Sequence, residues 1–171
     1  METSVNVTIR EAAPDDLPAV TDLYNWYITN TAATFDVVPF HWQDRQPWFD
    51  QFAPGSRHQL LVLELDTRLA GFASSRALRP KAAYDTSVET SIYLANGTTG
   101  RGLGRRLYGE LLDRLRAADQ EIHRCYGIVT QPNDASMSLH RRLGFAPAAH
   151  LHEVGYKFDR YWDTIWMELR L

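Results

Sequence analysis

The sequence predicts an α/β or α+β domain, a mixed sheet flanked by helices. Three observations carry that prediction. Hydrophobic residues switch repeatedly between a period of two and a period near 3.6 along the chain. The 171 residues, 44% of them hydrophobic, can bury one core without disulfide or metal staples. No internal repeat, low-complexity tract or linker-like shift in composition divides residues 1–171, so the chain reads as a single domain.

Val5, Val7 and Ile9 alternate with polar residues and mark a first strand. Asp15 or Asp16 can cap a helix whose apolar stripe is Leu17, Val20, Tyr24, Tyr27 and Ile28. An aromatic, proline-punctuated stretch follows. A second helix is expected over Trp42–Phe52, ended by Pro54-Gly55. Strands over Gln59–Leu65 and Leu69–Leu78 are joined as a hairpin through Asp66-Thr67-Arg68. Thr86–Leu94 is a further strand, with Val88, Thr90, Ile92 and Leu94 on one face and Glu89, Ser91 and Tyr93 on the other. A long helix then runs from Gly102 to Ala118, with the stripe Leu103, Leu107, Leu111, Leu112 and Leu115. Cys125–Thr130 reads as a buried strand. Asn133 or Asp134 caps a short helix that ends at Gly144. Strands near Ala146–Val154 and Thr164–Leu171 close the chain.

Composition excludes several functions. A net charge of −3 gives no overall basic field for nucleic acid or anionic lipid. A small-molecule partner is expected instead. Cys125 is the only cysteine, so no intrachain disulfide can form, which suits a reducing cytoplasm. Met1–Arg10 lacks a basic start followed by an apolar run and does not read as a signal peptide. The longest apolar stretch, Leu60–Leu65, is interrupted by Glu64 and is too short to span a bilayer. The chain is expected to be soluble.

Gly100-Arg101-Gly102-Leu103-Gly104-Arg105-Arg106 lies between a strand and the long helix. Alternate glycines let backbone N–H groups approach an anion, and a helix start favours negative charge. Arg105 and Arg106 oppose the helix dipole by roughly 0.3–1 kcal/mol each when exposed, and a bound phosphate reverses that sign. A flexible loop with solvated arginines explains the same letters locally. No Gly-Lys-Ser/Thr ending makes this a P-loop, and Arg105 stands where a dinucleotide fingerprint needs its last glycine.

The strand, loop and helix around Gly102-Leu103-Gly104 resemble motif A of the GNAT N-acetyltransferases. Ala83-Tyr84-Asp85, Val88–Tyr93, Leu107-Tyr108, Pro132-Asn133-Asp134, Leu139-His140, Leu143-Gly144-Phe145, Gly155–Phe158 and Trp162-Asp163 are similar to the phosphinothricin and methionine sulfone acetyltransferase branch. The similarity is collinear over nearly the whole chain. It implies the GNAT fold, a mostly antiparallel mixed sheet with acetyl-CoA at a splayed strand pair, and a homodimer. It implies that the backbone of Ile92, Tyr93 and Leu94 meets the thioester and the pantetheine arm. Gly100, Arg101, Gly102, Leu103, Gly104 and Arg105 would hold the pyrophosphate, and Asn133 would lie along the pantetheine. Thr99 stands where motif A usually has Gln or Arg. Asp36 follows Phe35 where phosphinothricin-acetylating members carry Arg, Lys81 aligns with an Arg of that branch, and a short insertion separates Asp119 from Tyr126. The differences at Asp36 and Lys81 bear on the choice of substrate.

Amide formation needs a neutral amine and a proton for the departing thiolate. Glu89 is a carboxylate inside a strand, where such residues are disfavoured. Locally it reads equally as a base or as part of a solvated face with Ser87 and Ser91. The resemblance implies a base, usually acting through water. Tyr108 sits four residues after Gly104 on the same helix face. By pattern it is a core tyrosine, whereas the resemblance implies the acid that protonates coenzyme A. His140 reads as a half-buried structural residue, and the resemblance implies a second base. Cys125 in an apolar strand reads as an inert buried thiol. His150 and His152 share a strand face without a clearly placed third ligand, so no metal is expected. Phe35 and Tyr84, with Trp42 and Trp48, are candidates to line a substrate pocket, although aromatics mostly fill core. The resemblance implies direct transfer to the α-amine of an amino-acid analogue such as phosphinothricin or methionine sulfone/sulfoximine, and Lys81 and nearby groups would then hold its carboxylate. The alternatives are another small amine, a peptide N-terminus, or a non-catalytic acyl-CoA-binding module.

Overall fold

The computed structural model describes residues 5–98 and 100–171, so the expectation on Thr99 lies outside the described residues. Seven strands form one sheet in the order β1-β2-β3-β4-β5-β7-β6. They are β1 (Val7–Glu11), β2 (Leu60–Leu65), β3 (Arg68–Ala77), β4 (Ser87–Leu94), β5 (Arg124–Thr130), β6 (Ala146–Lys157) and β7 (Arg160–Arg170). Every pairing is antiparallel except β4 with β5. The helices are α1 (Leu17–Asn30), α2 (Gln46–Phe49), α3 (Leu103–Arg116) and α4 (Asp134–Arg142).

Strand β2 shows why the sheet is central. Leu60, Leu61, Val62 and Leu63 are all buried, which requires cover on both faces. Leu61 and Leu63 pack in one cluster with the α3 stripe Leu103, Leu107, Leu111, Leu112 and Leu115. Leu60 and Val62 pack with Val20 of α1, Phe72 and the aromatics of the α2 region. Burying the α3 stripe contributes roughly 1.5–3 kcal/mol per leucine. The β2–β3 turn is shorter than expected. Asp66 and Thr67 have φ of 47° and 72°, a two-residue loop whose left-handed pair matches the strand twist.

Three expectations need correction. The first strand starts at Val7 and continues to Glu11. The helix expected over Trp42–Phe52 is a 3₁₀ turn at Trp42–Arg45 followed by a single α-turn, Gln46–Phe49. Pro47 lacks the N–H that a continuous helix from Trp42 would use, so the helix begins again around it. The final hairpin is longer than expected, 12 and 11 residues joined at Phe158-Asp159. Register shifts between Pro147 and Ala149 and between Leu151 and Gly155 break the alternation that marks a strand in sequence. Among the described residues no helix is long and apolar enough to cross a membrane.

Candidate active site

Strands β4 and β5 are paired only from Ser87↔Arg124 to Thr90↔Gly127, after which they separate. Beyond that point β4 is bonded to β3 alone. Ala95 N–H donates to Ala70 O (2.8 Å), which fixes the alternation along β4. Ser91 and Tyr93 direct their main-chain groups to β3. Ile92 and Leu94 direct theirs to the gap, where Leu94 O accepts from Tyr27 Oη (2.6 Å). Of Ile92, Tyr93 and Leu94, expected to meet the thioester and the pantetheine arm, Ile92 and Leu94 turn their main-chain groups to the gap and Tyr93 pairs with Phe72 across β3.

A cavity of about 780 Å³ opens at this gap. At one end lies the start of α3. Gly100 and Gly102 have φ of 79° and 73°, and a Cβ on either meets nothing within 4 Å. The first α3 hydrogen bond runs from Arg106 N–H to Gly102 O (3.2 Å), so the N–H groups of Leu103, Gly104 and Arg105 precede the helical ladder. The first turn holds no acidic residue. Gly100, Gly102, Leu103, Gly104 and Arg105 line the cavity, whereas Arg101 is exposed and does not. Asn133 also lines it. Its side-chain oxygen accepts from Ser136 N–H (3.0 Å) to cap α4, so its NH₂ group is left for a ligand. A glycine-lined helix start, free backbone donors and an open strand edge together fit a long ligand with an anionic end.

The face of β4 toward α1 carries three cross-strand side-chain pairs in register. Glu89 Oε1 accepts from Arg76 Nη2 (3.1 Å), Ser91 and Ser74 share a 3.0 Å hydrogen bond, and the Tyr93 and Phe72 rings lie 5.1 Å apart. Glu89, Arg76 and Tyr93 line the cavity with Phe35, Asp36, Phe40, Asp44, Arg45 and Trp48. Phe35 packs on Gly155, where any Cβ would meet its ring at 2.2 Å.

The opposite face carries a hydrogen-bonded chain. Tyr108 Oη lies 2.7 Å from Thr90 Oγ1 and 3.2 Å from His140 Nε2. Thr90 Oγ1 donates to Tyr126 O (3.2 Å). His140 Nδ1 lies 2.8 Å from Ser136 O, and a carbonyl only accepts, so Nδ1 carries the proton and Nε2 presents a lone pair. Burial holds the His140 pKa below its ordinary 6.5, against the opposing effect of the Ser136 carbonyl. The imidazole is therefore neutral at pH 7. Gly127 makes room for it, since a Cβ there would lie 2.3 Å from Nε2. Tyr108 is fully buried and does not reach the cavity wall, although Thr90 and His140 do. Burial pushes its phenol well above the ordinary value of 10. The Tyr108 hydroxyl, expected to donate to the departing thiolate, is joined to the cavity lining by its hydrogen bonds to Thr90 and His140.

Two substrate candidates fall elsewhere. Lys81 caps and Tyr84 ends an exposed 3₁₀ turn, and neither lines the cavity of its own chain. The loop after β3 carries them off the sheet before β4 begins. Cys125 is buried as expected, its thiol pushed up to about 12 by burial. Asp163 supplies the carboxylate that sequence left unplaced beside His150 and His152. Its Oδ2 lies 2.8 and 3.1 Å from them, and Oδ1 accepts from Glu153 N–H (2.8 Å) at the β6 bulge. Arg45, Arg76, Thr90 and Gly127 were missed by sequence reasoning. Only Gly127 carried a signal, as a glycine inside a strand that implies a close approach.

The profile described as the acetyltransferase (GNAT) family matches residues 20–145. An N-acetyltransferase of Streptomyces griseus is 45% identical over 95% of this chain and 86% of its own length. A phosphinothricin N-acetyltransferase of Streptomyces coelicolor is 42% identical over 98% of both chains. An acetyltransferase of Salmonella typhimurium, solved with its cofactor acetyl-CoA, superposes with a TM-score of 0.88 at 32% identity, over 96% of this chain and 94% of that one.

Proposed function

The chain belongs to the GNAT acetyltransferase family, and from that premise we propose that residues 1–171 act as a single domain that acetylates the α-amine of a small amino-acid-like acceptor, of the phosphinothricin or methionine sulfone type. The observation that carries this reading is one continuous cavity. It runs from the glycine-lined start of α3, past the free edge of β4, to a pocket holding Glu89, Arg76, Asp36 and Arg45. Acetyl-CoA, the family's acyl donor, supplies the activated thioester.

The protein's own groups divide the remaining work. Backbone N–H groups at Leu103–Arg105 hold the pyrophosphate, and Asn133 follows the pantetheine arm. The N–H groups of Ile92 and Leu94 face the gap and stabilise negative charge on the thioester oxygen. Glu89 draws the acceptor's ammonium group and takes its first proton. One oxygen of this carboxylate is occupied by Arg76, 3.1 Å away, so water is a natural relay between Glu89 and the amine. His140 Nε2 takes the second proton and returns it to the sulfur. Once protonated, Nε2 points its N–H at Tyr108 Oη, so the proton passes to the sulfur through the Tyr108 hydroxyl, which gives up its own proton as it takes the ring's. Catalysis is direct, without an acyl-enzyme, because the inert Cys125 is sealed in the core. The reading includes a cytoplasmic location and a homodimer, the homodimer supported by the exposed Val154, Tyr156, Phe158 and Tyr161 on the β6–β7 hairpin.

Coenzyme A release, followed with a thiol reagent over a panel of amino acids, amines and short peptides, tests the function. Glu89→Gln and His140→Gln are each expected to lower kcat by about 10²-fold or more while acetyl-CoA binding by calorimetry is kept. Thiol release from no amine, with acetyl-CoA bound, would favour a non-catalytic binding module.

A further inference from the structure

We propose that Arg45 is the seat for the acceptor's α-carboxylate, which makes it a specificity-determining residue of this cavity; the inference rests on the amino-acid acetyltransferase reading above. Arg45 comes from the short 3₁₀ turn before α2, on the α1 side of the sheet. The residue is only 6% exposed, yet it lies on the cavity wall. A buried cation is normally paired, because removing it from water is costly. This one is not. Its Nη1 has no hydrogen-bond partner, and among the described residues no carboxylate makes an ion pair with it.

The surroundings hold the guanidinium in place without neutralising it. It lies 3.8 Å from the Trp48 ring centroid, 4.7 Å from Tyr24 and 5.7 Å from Phe40. Stacking of this kind fixes the plane of the fork and leaves its edge as the binding element. The other arginine on this side of the cavity is engaged, since Arg76 is paired with Glu89. Asp36 is taken by the Tyr24 hydroxyl. Burial lowers the Arg45 pKa to about 10, so it still carries its charge at neutral pH.

A planar guanidinium whose Nη1 lacks a partner matches a carboxylate. An amino acid is a zwitterion, and this pocket offers both signs. Glu89 addresses the ammonium end, and Arg45 addresses the carboxylate. The role assigned by resemblance to Lys81 is thereby filled from a different element, one that faces the cavity of the same chain.

The test compares kcat/KM for methionine sulfone with that for its carboxamide, in wild type, Arg45→Lys and Arg45→Met. Wild type should prefer the acid by roughly 10- to 100-fold, the range expected for charged hydrogen bonds. Arg45→Met keeps an apolar stem between the rings, and should bring the two substrates to within about 3-fold of each other. The loss should appear in the acceptor's KM, with the KM for acetyl-CoA unchanged, and Arg45→Lys should fall between. If Arg45→Met lowers both substrates alike, or leaves the preference intact, Arg45 is a structural residue and the inference falls. If Arg45→Met no longer binds acetyl-CoA, the ratio in Arg45→Lys decides: a wild-type preference overturns the proposal and a reduced one supports it. Thiol release from neither compound in wild type sinks the acceptor reading itself, a result distinct from failure at Arg45.

Discussion

Gly127 owes its place in β5 to the imidazole it faces. Strand interiors disfavour glycine, yet here a single methyl would intrude to 2.3 Å from His140 Nε2 and 3.3 Å from Tyr108 Oη. The clash is with Nε2, the lone-pair edge of the ring, while the protonated Nδ1 stays tied to Ser136 O. Gly127→Ala should therefore tilt or displace the imidazole and lower kcat by about 10- to 100-fold. Overpacking of this kind costs about 1–3 kcal/mol of stability, which a melting curve would read. The KM for acetyl-CoA should hardly move, because Gly127 does not line the cavity. Wild-type turnover in that variant would show that the position of His140 does not matter to the reaction.

The start of α3 and the free edge of β4 divide the cofactor's recognition between them, and each fails in its own way. Gly102 is the N-cap of α3 at φ 73°, a conformation that costs an ordinary L-residue roughly 1–2 kcal/mol. Gly102→Val adds a β-branched side chain there, in otherwise open space. It should weaken acetyl-CoA binding by about 10-fold in calorimetry while kcat at saturation persists, because Glu89 and His140 lie on other elements. An unchanged dissociation constant would remove this glycine from the phosphate site. These two elements also mark how far the sequence could be read. The α3 stripe, the β4 face assignment and the glycine loop are periodic or local, and they emerge from residue letters alone. The parting of β4 from β5 after Thr90 is set by packing between distant segments and leaves no local trace. The Arg76–Glu89 pair was hidden for the same reason, since the β3–β4 register depends on a loop with no tight-turn signature. Arg45 was hidden because aromatic neighbours such as Trp42 and Trp48 read as core and gave no hint of a cation stacked among them. Tyr108 illustrates the opposite limit. Its helix face was legible, whereas its exclusion from the cavity depended on Thr90 and His140 closing over it.

At the scale of the whole molecule, one sheet supports two different environments, an aromatic and charged acceptor side under α1 and a leucine-rich side under α3 that encloses Tyr108 and His140. Placing a neutral histidine in the second environment links catalysis to stability. Burial lowers the pKa of His140 below 6.5, and His58 is lowered mainly by the same cause. The unfolded chain therefore binds protons more readily than the native one as pH falls through about 6.5. Stability from these groups is present above that pH and is lost below it. A second loss comes from carboxylates. Asp16 is held below its ordinary value first by Arg10, and Asp163 is held at about 2 by the Glu153 N–H and by His150. Their contribution is present above about pH 4 and disappears as pH falls toward 2. The melting temperature should be flat from pH 7 to 8, decline as pH drops below about 6.5, and fall steeply below about 4. In His140→Gln the upper decline should shrink while the lower one stays. Matching profiles for wild type and His140→Gln would mean that His140 is not held neutral, and the tautomer that makes Nε2 a base would lose its support.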